Sequence, residues 1–371
     1  MVFQVIFYLF LLSFVLQMFY YLYYFSRVPF ARENPQLKPS QELSAVSVLI
    51  CAHNELSNLQ RLLPRLYSQQ YPQFEILVVN DRSDDGTKEW LAQQSYKQQQ
   101  LKVVDIHSKP KGVNGKKYGI TQGIKTAQNE IILLTDADCY PVNNHWIQQM
   151  AKDFSDGTEI ILGFSQYEKT SHLLNSFIRF ETLYTGLQYI SMALAGKPYM
   201  GVGRNLAYKR SFFLERKGFE KHLHITGGDD DLFVNHNANA QNSKVAIGGK
   251  SLIKSIPKSN YSDFFKQKKR HLSVGKYYKL NDKINLGLLS ISHIFFWVTF
   301  VILVGFGKEL LVIGFVLLFK AFLLYLVFIP SSIKLGDKID GWNLLILDFL
   351  YPIYLIIIGF PALTAKSIKW S

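Results

Sequence analysis

VSVLICAHNE fills residues 46–55: a nearly unbroken apolar run, then His53, Asn54 and Glu55. An apolar run of this length without alternation predicts a strand buried on both faces. Residues 55–70 have helical spacing. FEILVVND (74–81) is a second such run, and DDGTKEWLAQQS (84–95) reads as a helix behind aspartate caps. LKVVDI (101–106) is a third strand, 114–128 another helix, and EIILLTDAD (130–138) a fourth strand. Strand and helix in alternation predict an α/β fold: a mostly parallel sheet with helices on both faces. Ligands of such sheets bind beyond the C-terminal strand ends. Here those ends carry His53, Asn54 and Glu55, then Asn80 and Asp81, then Asp136 and Asp138. Three polar clusters on three successive strand ends predict one crevice.

Outward from this region the chain turns apolar. Of 371 residues 48% are hydrophobic, 15% aromatic and only 19% charged, which excludes a disordered chain, a coiled coil and a disulfide scaffold. Residues 1–25 hold no Asp, Glu, Lys, Arg or His, long enough for an uncleaved transmembrane anchor, with tyrosines at its far end. Three more candidates lie at 286–306, 309–329 and 343–361. Arg27 and Arg32 after the anchor, and Lys334 and Lys338 in the connector 330–342, predict that residues 26–285 are cytoplasmic. Lys366 and Lys369 then fall outside, unless the last segment is re-entrant or interfacial. The expected organisation is an anchor (1–25), a linker (26–45), a catalytic region (46–285) and a bundle of about three spans (286–371). Lys320 and Asp348 fall within spans, where lone charges are costly. Antiparallel packing would bring them to depths about 6 Å apart at 1.5 Å per residue, within a lysine's reach, so they are expected to pair. The other reading has Lys320 snorkelling and Asp348 facing water. The net charge of +13 suits anionic partners. Cys51 and Cys139 sit in predicted strands, with no metal spacing and no disulfide framework.

Each polar cluster has a chemistry and a plainer reading. Asp136 and Asp138 point the same way on an extended chain and repel unless a cation lies between them. A hard divalent ion such as Mg²⁺ or Mn²⁺ solves this and shares its shell with phosphates; alternatively the pair caps the next helix. Asp81 can accept from a base or ribose, while Asp84, Asp85 and Gly86 are turn residues. Lys116 and Lys117 open a helix and attract phosphate, or form a solvated basic face. Gly227-Gly-Asp-Asp-Asp231 offers a general base, or an acidic first helical turn. Gln267 and Arg270 share a helix face, and Arg270 can grip a diphosphate, or join a juxtamembrane basic patch on lipid. The Walker pattern fails, because Gly115-Lys116 is followed by lysine and position 110 is proline. The dinucleotide fingerprint fails at Leu206. Residues 172–200 suit either an interfacial helix or an ordinary packed one.

In this order the motifs resemble those of the inverting family 2 glycosyltransferases, most closely the membrane-embedded branch with cellulose, chitin and hyaluronan synthases and ceramide glucosyltransferase. The resemblance covers about residues 45–275. It implies a GT-A fold with transmembrane helices at both ends and a multi-pass cell-membrane protein. It also implies a nucleotide-sugar donor, most commonly a UDP-sugar, a lipid or glycan acceptor, and no nucleic acid partner. Carried over by position, Ala52, Asn54, Glu55 and Asp81 meet the nucleotide, Lys116 reaches the donor, Asp136 contacts the nucleotide and Asp138 the metal. Matching GDD gives Asp230 as catalytic base; anchoring on the following leucine gives Asp229. Asp230 is taken first and both are kept. Gln267 and Arg270 match the element covering the diphosphate. The family tryptophan of that element is His271 here, which argues for single transfer to a lipid or lipid-linked acceptor over processive polymerisation. A nucleotidyltransferase and a non-catalytic envelope subunit are the rival classes.

Overall fold

The apolar N-terminus forms one long helical rod, α1 (Val2–Phe19), which runs through a π-helical stretch (Tyr20–Phe25) into a last turn, α2 (Arg27–Phe30). The computed structural model describes residues 1–33, 44–155 and 157–364. Residues 34–43, half of the expected linker 26–45, and Lys366 and Lys369 lie outside the described residues. The linker's first residues are helical instead, because Pro29 falls in a short turn where its missing N–H costs nothing.

The β/α region follows its sequence pattern. β1 (Val46–Ala52), α3 (Leu56–Tyr67), β2 (Phe74–Asp81), α4 (Thr87–Lys97), β3 (Leu101–Ile106), α5 (Gly115–Thr126) and β4 (Ile131–Asp136) alternate along the chain. The four strands are parallel in the order β3-β2-β1-β4. The chain winds outward from β1 through β2 and β3, then crosses to the other side of β1. That reversal is the switch point where open sheets bind ligands. β5 (Cys139–Pro141) follows directly, then α6 (Trp146–Ala151), β6 (Ile160–Leu162), β7 (Ser165–Tyr167), α7 (Leu173–Leu194), β8 (Leu206–Lys209) and α8 (Arg210–Glu215). β8 runs antiparallel between β4 and β6, and β9 (Ser243–Val245) completes a seven-stranded sheet. β5, β7 and β10 (Ile253–Ser255) form a small second sheet. The central strands are buried on both faces, with Val48, Ile50, Val78 and Leu133 fully buried. Each such side chain contributes about 1.5–3 kcal/mol by leaving water.

α5 lies unusually close to the sheet. Gly115, Gly119 and Gly123 fall on one face, four residues apart. A Cβ at Gly119 would sit 2.6 Å from Cys51 Sγ, and one at Gly123 2.9 Å from Val79. Only hydrogen fits at those places, so the helix seats on β1 and β2 and its first turn hangs over their C-terminal ends.

The remaining helices are α9 (Asp231–Asn237), α10 (Tyr261–Ser273), α11 (Leu280–Phe306), α12 (Leu310–Lys334), α13 (Leu344–Tyr354) and α14 (Phe360–Thr364). Among the described residues, four stretches are long and apolar enough to cross a membrane: Val2–Phe30, Leu280–Phe306, Leu310–Lys334 and Leu344–Thr364. α11 begins before the expected residue 286. Its first turn is polar, and Asp282 there accepts from Asn235 Nδ2 at 2.9 Å, so hydropathy alone misses it. The connector after α12 touches the β/α region: Asp337 meets Arg179 (2.9 Å) and Lys254 (3.3 Å), and Lys169 meets Asp340 (2.8 Å). Within the apolar bundle Lys320 Nζ lies 2.5 Å from Asp348 Oδ2, both side chains fully buried, as the depth arithmetic predicts. Of the two readings of residues 172–200, the structure has the packed helix. α7 is buried along most of its length between the membrane helices and the sheet, with Tyr184 and Tyr189 1% exposed.

Candidate active site

Strand register lines up the polar ends. Cys51 of β1 pairs with Asp136 of β4, and Ala52 with Asn80 of β2, so Asp136 and Asp81 flank the end of β1. The loops after β1 and β2 are laced together. Asn54, in a left-handed conformation (φ 57°), donates its N–H to Ser83 Oγ at 3.0 Å and accepts from Asp84 N at 2.9 Å. Asp85 accepts from Leu56 N (3.1 Å) and Thr87 N (3.0 Å). The amide of Asn54 is therefore engaged in the loop lacing. The turn reading of Asp84–Gly86 also holds.

Lys116, on the first turn of α5, is the centre of the cluster. Its ammonium lies 2.8 Å from Asp136 Oδ1 and 3.3 Å from Asp229 Oδ2. Burial works against that charge, but Asp136, Asp229 and Asp230 outweigh it and hold the ammonium well above its ordinary range. Burial would likewise raise Asp136, yet Lys116, Arg204 and Arg270 hold it below the usual carboxylate range. Arg270 on α10 thus acts on Asp136 through its charge, its stem passing beside Gly227, with Gln267 half-buried one turn before it and His271 exposed beside it. Asp138 lies in the turn between β4 and β5. Burial and Asp136 push its carboxyl up. Glu55 is raised mainly by burial, then by Asp138 and Asp136, so it borders the same acids. Asp81 accepts two hydrogen bonds from Arg82, at 2.7 and 3.1 Å, and Gly115 packs directly on its carboxylate. Ala52 is buried beneath.

The three adjacent aspartates face three ways. Asp229 turns to Lys116. Asp230 caps α9: its Oδ1 accepts from Asp231 N at 2.9 Å and its Oδ2 from Gly203 N at 2.5 Å. Burial, then Asp229, pushes Asp230 up to about 6. Asp231 accepts from Tyr278 OH at 3.0 Å. Lys117, read with Lys116 as a phosphate attractor, is fully buried. Its ammonium donates to the carbonyls of His222 (2.6 Å) and Ile225 (2.9 Å), clamping the segment that leads to Asp229.

Three neighbours carry no sequence signal of their own. Arg204 donates to Ser165 Oγ at 2.5 Å, stacks over Tyr167 (4.7 Å) and contributes to the fields at Asp136 and Asp138. Asn205, fully buried, fixes that loop by donating to Phe164 O and Ser251 O. Cys139 places its sulfur within 4.8 Å of ligand atoms of both Asp136 and Asp138. Burial pushes its thiol well up, and it donates to Asp138 at 3.4 Å, so it acts as a thiol. Two carboxylates this close, one of them lifted by the other, fit a hard divalent cation such as Mg²⁺ or Mn²⁺.

Residues 47–216 match the family described as Glycosyl transferase family 2. The poly-beta-1,6-N-acetyl-D-glucosamine synthase of Staphylococcus epidermidis is 32% identical over 119 residues, 32% of this chain and 27% of that protein. The beta-monoglucosyldiacylglycerol synthase of Trichormus variabilis is 34% identical over 114 residues, 30% of this chain and 24% of that protein. The matched stretch thus spans about a quarter of either relative. Among solved structures, the mannosyltransferase PcManGT from Pyrobaculum calidifontis, in complex with GDP-Man and Mn²⁺, superposes with a TM-score of 0.61 at 15% identity. The likeness covers 95% of this chain and 99% of that one, and the shared fold is of the GT-A type.

Proposed function

Because residues 47–216 match the Glycosyl transferase family 2 description, we propose that the protein is an inverting glycosyltransferase. It moves one sugar from a nucleotide-diphosphate sugar, with UDP the first nucleotide to test, to a hydroxyl of a lipid or lipid-linked acceptor. One observation carries this reading. Lys116 joins Asp136, at the end of β4, to Asp229, which is remote in sequence, and does so at the switch point of the sheet.

Asp81, Glu55 and Ala52 form the floor for base and ribose. Asp138 with Asp136 would hold the divalent cation, which when bound neutralises charge on the diphosphate. Lys116 stabilises the negative charge that develops on the leaving group, a role for a preorganised cation in a water-poor cleft, and Arg270 grips the donor diphosphate through binding and reaction alike. Asp229 takes the proton from the acceptor hydroxyl. The hydroxyl oxygen then bonds to the anomeric carbon as the carbon–diphosphate bond breaks, which inverts the centre. Asp229 is preferred to Asp230 as base because both oxygens of Asp230 are engaged by backbone N–H groups. The domain reading follows the same lines: membrane helices at both ends and a catalytic region between them. Arg27, Arg32, Lys334 and Lys338 favour the cytoplasmic side for that region. His271 in place of an aromatic platform favours single transfer.

The test is a panel of nucleotide sugars offered to the purified protein with Mn²⁺ or Mg²⁺, scoring the released nucleotide. Nucleoside diphosphate, lost on chelation and restored by the metal, is the expected product. Pyrophosphate would mark a nucleotidyltransferase, and no release from any donor would reject the reading.

A further inference from the structure

α10 has two faces with different duties. One carries Arg270, whose Cγ lies against Gly227 and whose charge acts on Asp136, with Gln267 one turn before it. The other carries Lys268 into the protein, where it is 6% exposed. Its ammonium pairs with Glu181 of α7, itself 3% exposed. The other oxygen of Glu181 accepts from Tyr354 OH of α13 at 3.2 Å. One buried carboxylate thus joins the helix of the cleft to a membrane helix. On the next turn of α7, Tyr184 OH is hydrogen-bonded to His293 Nδ1 of α11 at 3.2 Å. His293 Nε2 in turn lies 3.1 Å from Asp348, the partner of Lys320. α7 is therefore held by the membrane helices at two successive turns, and it passes that constraint to α10 through Glu181.

A buried ion pair is expensive to desolvate, and apolar side chains of equal volume would often stabilise as well or better. What an apolar contact lacks is a unique seat, since it tolerates rotation and sliding of the helix. A charge with two directional partners accepts one orientation. Taking the proposed sugar transfer as given, we propose that Glu181 is a positioning residue. Through Lys268 it fixes the rotation of α10 against the membrane bundle and so sets Arg270 over the donor diphosphate.

The test uses the full chain in detergent, with donor KM and kcat measured for wild type, Glu181→Gln, Arg270→Ala and the double variant. Removing an interaction that holds donor equally in ground and transition states raises KM and spares kcat, by about tenfold for a charge-assisted contact. Glu181→Gln should show that split. In the Arg270→Ala background it should add almost nothing, because its effect runs through Arg270. The swapped pair Glu181→Lys with Lys268→Glu should recover most of the KM. Wild-type KM in Glu181→Gln, or independent multiplication of the two single effects, overturns the proposal. If Glu181→Gln fails to fold, Tyr354→Phe and the swapped pair decide: wild-type KM in Tyr354→Phe together with no recovery in the swap overturns it. Absence of turnover in the wild type counts against sugar transfer itself, whereas turnover with an indifferent Glu181 counts against positioning alone.

Discussion

Asp136 and Asp229, far apart in the chain, are held on a single ammonium: Lys116 Nζ is 2.8 Å from the first and 3.3 Å from the second. Asp230, the immediate neighbour of Asp229, is turned away to cap α9. This division of labour makes a prediction. Loss of a general base costs about 10²–10⁴-fold in rate. Asp229→Asn should lose activity in that range. Asn keeps only one of the two acceptors that Asp230 offers to Asp231 N and Gly203 N, so Asp230→Asn should cost stability yet lose less activity than Asp229→Asn. Nucleoside diphosphate release by the two variants, each checked for folding, decides the assignment. The reverse ranking would return the role to Asp230.

The close seat of α5 makes a second prediction. Ala for Gly inside a helix ordinarily gains up to about 1 kcal/mol. At Gly119 the new Cβ would meet Cys51 Sγ at 2.6 Å, and overpacking costs about 1–3 kcal/mol. The clash should win: Gly119→Ala should melt lower and act more slowly, since Lys116 rides on the displaced helix. Removing the sulfur relieves the contact, so Cys51→Ala should suppress most of the defect in the double variant. Additive losses in a double-mutant cycle of thermal unfolding would contradict the seating argument.

A third prediction concerns pH. Asp230 is raised from 3.8 to about 6 in the folded protein, chiefly by burial and then by Asp229. The folded state therefore binds this proton more tightly than the unfolded state, and the stabilisation is full below the unfolded value. It is lost as pH climbs through the folded value. Relative to Asp230→Asn, the wild type should lose stability between about pH 4 and pH 6 and level off above. Melting temperatures of both proteins across that range check it, and a gap constant with pH would speak against it.

The fourth concerns the membrane bundle. Asp348 accepts from Lys320 Nζ at 2.5 Å and from Trp297 Nε1 at 2.9 Å, with no exposed surface on Lys320 or Asp348. Breaking a buried pair from one side costs about 3–5 kcal/mol, because the remaining charge stays buried. Lys320→Met should therefore unfold well below the wild type in detergent, and adding Asp348→Asn should restore most of the loss. A Lys320→Met protein that melts like the wild type would show the pair to be idle.

β1, β2 and β4 were legible because they are buried on both faces and bounded by turn residues, as at VSVLICA before His53 and FEILVVND before Arg82, whereas β6, β8 and β9, of three or four residues each, are too short to carry a pattern. The pairing of Lys320 with Asp348 was legible because helix rise converts sequence position into depth. Lys117 was misread for a physical reason. Adjacent lysines on a helix point in different directions, and only the folded chain places two carbonyls around the second one. Arg204 lies in a short 3₁₀ turn with no periodicity, so nothing in its neighbourhood marks it as part of the acid cluster. The roles of Asp229 and Asp230 turn on which backbone N–H groups lie nearby, which adjacent positions in a sequence do not encode.

The most direct measurement is calorimetric titration of nucleoside diphosphates into the full chain with saturating Mn²⁺, for wild type, Asp81→Asn, Asp138→Asn and Asp229→Asn. The wild type should bind at least one nucleotide. Asp81→Asn and Asp138→Asn should each abolish or severely weaken that binding, while Asp229→Asn, in which Lys116 keeps its pairing with Asp136, should keep it. No binding by the wild type, or binding indifferent to Asp81 and Asp138, would contradict a shared nucleotide cleft.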